Sequence, residues 1–533
     1  MTMPLAMKKF LIIIIPIILT SSFSGCIFED ILGGTTFTLV SYEICDDDGF
    51  PSLLINFSCS DTATVKILGT GNEIIDSDIF FKGGHNTILS LGEYRQTIVP
   101  GSYKIKAYDN DNSEIYSNSI YLTGSDIEIL SCLQNWWNID TSFSRNFLFE
   151  LSIYVYNKGD VPVYSYDVQI DMYNEPTVGL ALPNAIMPKK ADYVNCLIYL
   201  NTTFYGSLFD LNIRDINGNI IANKSVIVNT NNKVQTKEFS WNYYGPHKLE
   251  LPKPEFLYDY QSKLERINND DYSLYVFDPY DDEYIDIILE KIIFGFTGTK
   301  VQKINYIASF VQTIEYKSDS DDNSSYEYPR FPVETLFDGR GDCEDKAILT
   351  ASLLYSLGYD IALLRLPNHM AVGVRLSEED IPNYEYYIDD YYFLETTTKG
   401  KTCGFIPIDY REYNNSATIY PITNRPLLIH SWKEGTITIY TNTEIGDFVN
   451  VKAIIENLGT ISARNVLVEG AFITANGFKA NYENIVISDL DPGIKKKVTL
   501  SIDIPKSLTT YFKTRVYLNS EIVDEKESVS SFP

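Results

Sequence analysis

The chain has 533 residues, 44% hydrophobic and 14% aromatic, which excludes a disordered polymer and, at roughly 100 to 200 residues per domain, implies three to five folding units. Acidic residues outnumber basic ones 71 to 43, a net charge of -28, and a polyanionic surface repels nucleic-acid phosphates and anionic lipid heads. Nucleic-acid binding is excluded on that ground; the acidity serves solubility and would also suit basic substrates.

Lys8 and Lys9 precede an apolar run from Phe10 to Leu19, followed by Thr20, Ser21, Ser22, Phe23, Ser24, Gly25 and Cys26. This is the layout of a secretory signal peptide, and the run is too short for a bilayer span of about 20 residues. Residues 1–25 are read as that signal and 26–34 as a tether. Ser24-Gly25-Cys26 resembles a lipoprotein processing box, with Phe23 where such boxes usually carry Leu. The resemblance implies a lipid on Cys26 and a chain anchored on the extracellular face of the cell membrane; the alternative is plain secretion. Asn-x-Ser/Thr sequons at Asn56, Asn201, Asn223 and Asn323 add weak support for export.

Residues 35–125 alternate in short runs broken by turns, for example Tyr103 to Tyr108 followed by Asp109-Asn110-Asp111-Asn112, which predicts a small β-sandwich. Two further β units, 126–230 and 431–533, share a signature. In the first, Leu151 to Tyr156 leads into Asn157-Lys158-Gly159 and then Tyr166 to Ile170; in the second, Val451 to Glu456 leads into Asn457-Leu458-Gly459 and then Arg464 to Val468. Strand, Asn-x-Gly turn and strand in the same order indicate an internal repeat. These stretches resemble the CARDB-like, immunoglobulin-like sandwiches of prokaryotic surface proteins, modules that space or adhere.

Residues 240–430 have a different texture. Tyr284 to Ile293 and Val301 to Ile314 carry apolar residues at helical spacing. Asp338-Gly339-Arg340-Gly341-Asp342 then leads into Cys343 and an amphipathic stretch through Ile348, Ala351 and Leu354, stopped by Gly358. A cysteine in the first turn of a helix sits where backbone N–H groups and the helix dipole favour its thiolate and can hold an oxyanion. Of four histidines (His85, His247, His369, His430), His369 is placed to serve it, between the apolar runs Ile361 to Leu366 and Met370 to Val374. An acid on a neighbouring strand must steady the imidazole, and Glu395, after Tyr391 to Leu394, is available, with Asp389 and Asp390 as fallbacks in a turn.

Gly341-Asp342-Cys343-Glu344-Asp345, Asn368-His369-Met370-Ala371 and Tyr392-Phe393-Leu394-Glu395-Thr396-Thr397 together resemble the transglutaminase-like superfamily, over roughly 180 residues. Phe310 to Tyr316 and Tyr328 to Leu336 are similar to its surface-exposed prokaryotic members. The resemblance implies an α+β, papain-like core with Cys343 on a helix and His369 and an acid on adjacent strands, acting through a thioester. Many relatives place Asp where this chain has Glu395. Gln312 is the candidate side-chain oxyanion donor, because papain-like thiol proteases use a polar amide from an earlier helix; otherwise it is an exposed helix glutamine. Glu344 and Asp345 are read as structural, bonding the loop that carries Arg340, with Cys343 accessible between them.

The expected architecture is a multidomain chain in which this catalytic domain is flanked by all-β sandwiches. The expected activity is cysteine peptidase or amidase action on a protein or peptide substrate, cell-envelope material included. Crosslinking to a lysine amine is one alternative, and a non-catalytic surface adhesion or scaffolding role is the other. Cys45, Cys59, Cys132, Cys196, Cys343 and Cys403 lack C-x-x-C spacing, so neither a metal centre nor a cofactor is expected. In an oxidising exterior Cys45 with Cys59 and Cys132 with Cys196 could form disulfides, pairings the sequence leaves open.

Overall fold

The computed structural model describes residues 34–140, 145–172, 175–198, 207–267, 271–322, 327–380, 382, 386–413, 416–432, 438–440 and 447–532. The segments expected to be a signal peptide and, but for residue 34, a tether lie outside the described residues with Cys26, as do Asn201 and Asn323. The chain is a mostly-β multidomain protein, with helices concentrated between Glu255 and Ser356.

Near the N-terminus a three-stranded sheet (Phe37–Asp47, Phe50–Cys59, Gly83–Ser90) faces a four-stranded one (Ile74–Phe80, Ala63–Leu68, Gly101–Tyr108, Glu114–Leu122). The alternation read in the sequence sets its core: Tyr103, Ile105 and Ala107 point inward onto Leu53, Ile55 and Phe57, and the intervening lysines point away. The next unit stacks a sheet of Ala191–Leu197, Arg145–Asn157 and Ile127–Asp140 on one of Glu175–Leu180, Asp167–Met172, Leu208–Arg214 and Ile220–Ile227. The C-terminal unit repeats the plan, with Phe448–Asn457 in place of Arg145–Asn157 and Ala463–Thr474 in place of Asp167–Met172.

The shared Asn-x-Gly signature has a structural cause. Asn157 donates from Nδ2 to the carbonyls of Val161 and Ile186 and accepts from Gly159 N–H; Asn457 donates to those of Ile461 and Leu490 and accepts from Gly459 N–H. A Cβ on Gly159 would lie 2.2 Å from Gly124 O and one on Gly459 2.2 Å from Arg425 O, so both turns need glycine for close backbone approach.

The central core extends from Phe239 to Leu427 and recruits Trp137, Phe149, Leu182 and Leu197 from the preceding sandwich. A hairpin, Thr236–Asn242 with Pro246–Pro252, and the helices Asp282–Ile293 and Lys300–Val311 pack around the helix Cys343–Ser356, which is buried along almost its whole length. Its other neighbour is an antiparallel sheet in the order Tyr387–Ile388, Tyr391–Leu394, His369–Val374, Ile361–Leu366, Thr418–Ile422. That sheet is covered on its outer face by a second cluster around Leu364, Phe393 and Ile406, so its strands are apolar on both sides.

The N-terminal sandwich docks on two others. Tyr164 donates to Asp46 at 2.7 Å and Thr97 to Asp215 at 3.0 Å; Lys497 pairs with Asp47 at 2.6 Å, Lys496 with Glu93 at 2.7 Å and Lys495 with Asp48 at 3.3 Å. The suggested disulfides are not present, and all six cysteines among the described residues are free. Cys45 and Cys59 sit near opposite ends of one hairpin, opposite Ser52 and Phe37 respectively. Cys132 and Cys196 are on strands separated by Arg145–Asn157, too far apart for a bridge.

Candidate active site

The cysteine helix is anchored at its start by charge. Asp345 accepts from Arg330 N–H and from its guanidinium, both at 2.7 Å, and from Asp342 N–H at 3.3 Å. Arg330, 5% exposed, also pairs with Asp319 at 3.1 Å and Asp338 at 3.4 Å. A Cβ on Gly341 would lie 2.7 Å from that of Asp345, which Arg330 holds in place, so the glycine before the helix lets the chain enter. Asp345 thus bonds the loop that carries Arg340, through Asp342 N–H, and is also held by Arg330; Asp342, Glu344 and Asp345 are buried where the sequence suggested an open loop.

Cys343 is the first helical residue, half-buried. Its Sγ lies 3.1 Å from Glu344 Oε2 and within hydrogen-bond reach of the Met370 amide. Burial, then the Glu344 carboxylate, pushes the thiol well above its ordinary value, and the Met370 N–H opposes this only in part. Burial and the adjacent acid thus oppose the stabilisation of the thiolate that the helix start offers. Burial, helped by Glu327, Asp342 and Asp345, also pushes Glu344 up to about 10.

His369 opens the strand after Cys343's helix and the hairpin strand Ile361–Leu366; its Nε2 is 3.1 Å from Glu395 Oε2, and both residues are buried. Burial raises the pKa of Glu395, but bonds and charge from His369 and Thr397 overcome it and hold the carboxyl at about 2. Its Oε1 accepts from Thr397 N–H at 2.7 Å, from the Thr397 hydroxyl and from Thr398 N–H at 3.2 Å. An ionised Glu395 accepts from the Nε2–H of His369, which fixes the ring with Nε2 toward the carboxylate. Strand pairing ends with Val372↔Leu394, so Glu395 reaches the imidazole from just past the last paired residue of its strand.

Tyr410 stacks on the imidazole, centroids 4.2 Å apart and planes 6° from parallel. Sequence reasoning missed it, since Ile408–Tyr413 is a short 3-10 turn with no periodic signal. The other histidines are structural: His430 bonds Asp524 and Thr514, His247 bonds the Tyr243 carbonyl and packs on Trp241, and His85 bonds the Phe81 carbonyl. Asp389 and Asp390 are exposed in the turn before Tyr391, away from the imidazole's carboxylate partner.

Gln312 is not an available oxyanion donor. Its Nε2 donates to the carbonyls of Glu395 and Lys401, both at 2.8 Å, and its Oε1 accepts from Gly400 N–H at 3.0 Å. It is 2% exposed and clamps the loop that carries the acid. Lys346, fully buried one turn along the cysteine helix, donates to Ile314 O at 2.9 Å; burial lowers it to about 8. A surface hollow lined by Asp282, Ile285, Ser352 and Tyr355 lies at the far end of this helix and is separate from the site.

The arrangement offers a thiol, an imidazole held through Nε2 by a carboxylate, and helix-start N–H groups, a set suited to acyl transfer. No protein-family model and no curated protein matches the chain. Among solved structures it is similar to a red sea bream transglutaminase at 9% identity, covering 72% of this chain and 80% of that one with a TM-score of 0.18. It is also similar to a tetra-tandem repeat in the extending region of a large adhesion protein, at 10% identity, 93% and 98% coverage and a TM-score of 0.16. At such scores neither likeness carries an argument about fold or activity.

Proposed function

We propose that this chain is a thiol enzyme of the transglutaminase-like, papain-like type, displayed outside the cell, that cleaves or transfers amide bonds through Cys343. One observation carries the reading: the buried His369–Glu395 pair, 3.1 Å apart, precedes Met370, whose amide reaches the Cys343 sulfur. His369 acts as general base: Nδ1 takes the thiol proton as Sγ bonds to the carbonyl carbon, and the oxyanion rests on the Cys343 N–H. Collapse of the adduct breaks the C–N bond, the His369 proton leaves on the amine, and a thioester remains. Water attacking the thioester gives the acid; a lysine amine gives a new amide. Hydrolysis is favoured, because water is always available at a cell surface.

The two Asn-x-Gly sandwiches serve as CARDB-like spacers and a lipid on Cys26 as the anchor, which sets a protein, peptide or cell-envelope substrate within reach. The raised thiol supports a second reading, a surface adhesion or scaffolding protein whose central domain binds without catalysing. Labelling with a limiting iodoacetamide probe decides between them. The enzyme reading expects Cys343 to react at least tenfold faster than Cys45 or Cys132, the label to vanish in Cys343→Ala, and the rate to fall in His369→Ala, which keeps the sulfur. Equal rates with and without His369, or undiminished labelling of Cys343→Ala, would end it in favour of the scaffold.

A further inference from the structure

Two adjacent turns of the central domain end in aromatic side chains that reach into solvent. Tyr244, at the tip of the hairpin Thr236–Asn242 with Pro246–Pro252, is 94% exposed, and Phe294, where the helix Asp282–Ile293 ends, is 84% exposed. They are the two most exposed large hydrophobic side chains among the described residues. Both turns stand on one aromatic foundation. Phe296 stacks on Tyr306 with centroids 4.6 Å apart, Tyr243 meets Tyr306 edge-on at 5.4 Å, and Trp241 stacks on His247 at 5.1 Å. The Tyr243 hydroxyl donates to Gln302 O at 3.2 Å, which ties the hairpin to the helix Lys300–Val311.

Tyr244 also has a φ of 52°, a left-handed conformation that glycine or asparagine adopts at far less cost than a bulky side chain. The chain thus carries strain to hold a ring outside its own core, a pattern that belongs to binding surfaces. The local charge is reversed as well. The whole chain has a net charge of -28, yet residues 239–249 and 291–314 contain Lys248, Lys291, Lys300 and Lys303 and no Asp or Glu. Lys248 and Lys291 pair with Glu238 and Glu290, whereas Lys300 and Lys303 form no ion pair among the described residues. Charges act over roughly 8–10 Å at physiological salt, so these lysines, rather than the total, decide what meets the two tips.

We propose that the two turns are a membrane-docking edge, with Tyr244 and Phe294 entering the interfacial layer of a bilayer and Lys300 and Lys303 meeting anionic headgroups. A lipid interface takes aromatic rings at headgroup depth and lysines at phosphates. Two separate projecting tips can enter such a layer, whereas a stable protein partner needs a matched surface of about 800 Å² per side. The Lys300–Val311 helix, roughly 18 Å long at 1.5 Å per residue, separates this edge from Gln312 and the Glu395 loop that it clamps. The edge therefore lies apart from the Cys343 site, and the proposal rests neither on that chemistry nor on a lipid at Cys26.

Phe294→Trp in the full-length chain is the reporter, its emission read as the difference from wild type. Vesicles of phosphatidylcholine and phosphatidylglycerol should shift that emission to the blue, and acyl-chain bromination should quench it. Tyr121→Trp, 72% exposed on the N-terminal sandwich, should show neither change. With Lys300→Gln and Lys303→Gln added, the Phe294→Trp shift should need roughly tenfold more vesicle or beyond. No shift and no quenching, or equal changes in Tyr121→Trp, would overturn the edge. A shift that grows with protein concentration without vesicles would overturn the lipid assignment in favour of a second copy of the chain.

Discussion

The Asn-x-Gly turns and the Cys343 site handle buried polar groups in opposite ways. In each turn one asparagine side chain makes the same three hydrogen bonds, two of them to groups two and four residues away, and Asn457 Oδ1 also accepts from Leu427 N–H. At the site the partners come from far along the chain: Gln312 to Glu395, His369 to Glu395, Lys346 to Ile314. The turns leave nothing unmet, whereas Asp342 and Glu344 each keep a buried oxygen without a donor.

The largest effect that would sharpen this contrast is on the imidazole's partner. Glu395→Ala should slow acylation of Cys343 by roughly 10³–10⁴-fold, the loss expected when a triad acid no longer fixes the tautomer, with rates followed by stopped-flow labelling. Glu395 is held at about 2 against an ordinary value of 4.5. Its contribution to stability is therefore complete above about pH 4.5 and is lost as pH falls through 2, so melts at pH 7 and pH 3 should differ less in Glu395→Ala than in wild type.

Gln312→Ala comes next. Loss of three buried bonds should cost about 1–3 kcal/mol in chemical denaturation and lower the labelling rate by less than Glu395→Ala does. A full loss of rate with an unchanged melt would instead return Gln312 to the oxyanion. The smallest effect is at the turns: Asn157→Ala and Asn457→Ala should each cost about 1–2 kcal/mol in their own sandwich and leave labelling of Cys343 as it was. Any drop in that rate would break the distinction between the regions.

The local patterns of this chain were legible in its residues. Alternation located the sandwich strands, the repeated Asn-x-Gly turn has one hydrogen-bond scheme in both copies, and the runs around His369 form the strands that bring it to Glu395. What could not be read is set by tertiary contact. Nothing near Gln312 announces that its amide is consumed by a loop more than 80 residues later, and nothing in Tyr328-Pro329-Arg330 states that the guanidinium pins Asp345. Cysteine spacing suggested bridges that strand placement forbids. The thiol's raised pKa depends on how deeply it is buried, which helix periodicity does not record.

The ion pairs from Lys495, Lys496 and Lys497 to Asp48, Glu93 and Asp47 join the beginning and end of the chain. During synthesis the N-terminal sandwich emerges first, and the lysines that answer its acidic edge follow more than 400 residues later. Each sandwich can fill its own core on its own, but this seam closes only once both partners exist, so docking of the two follows the folding of each.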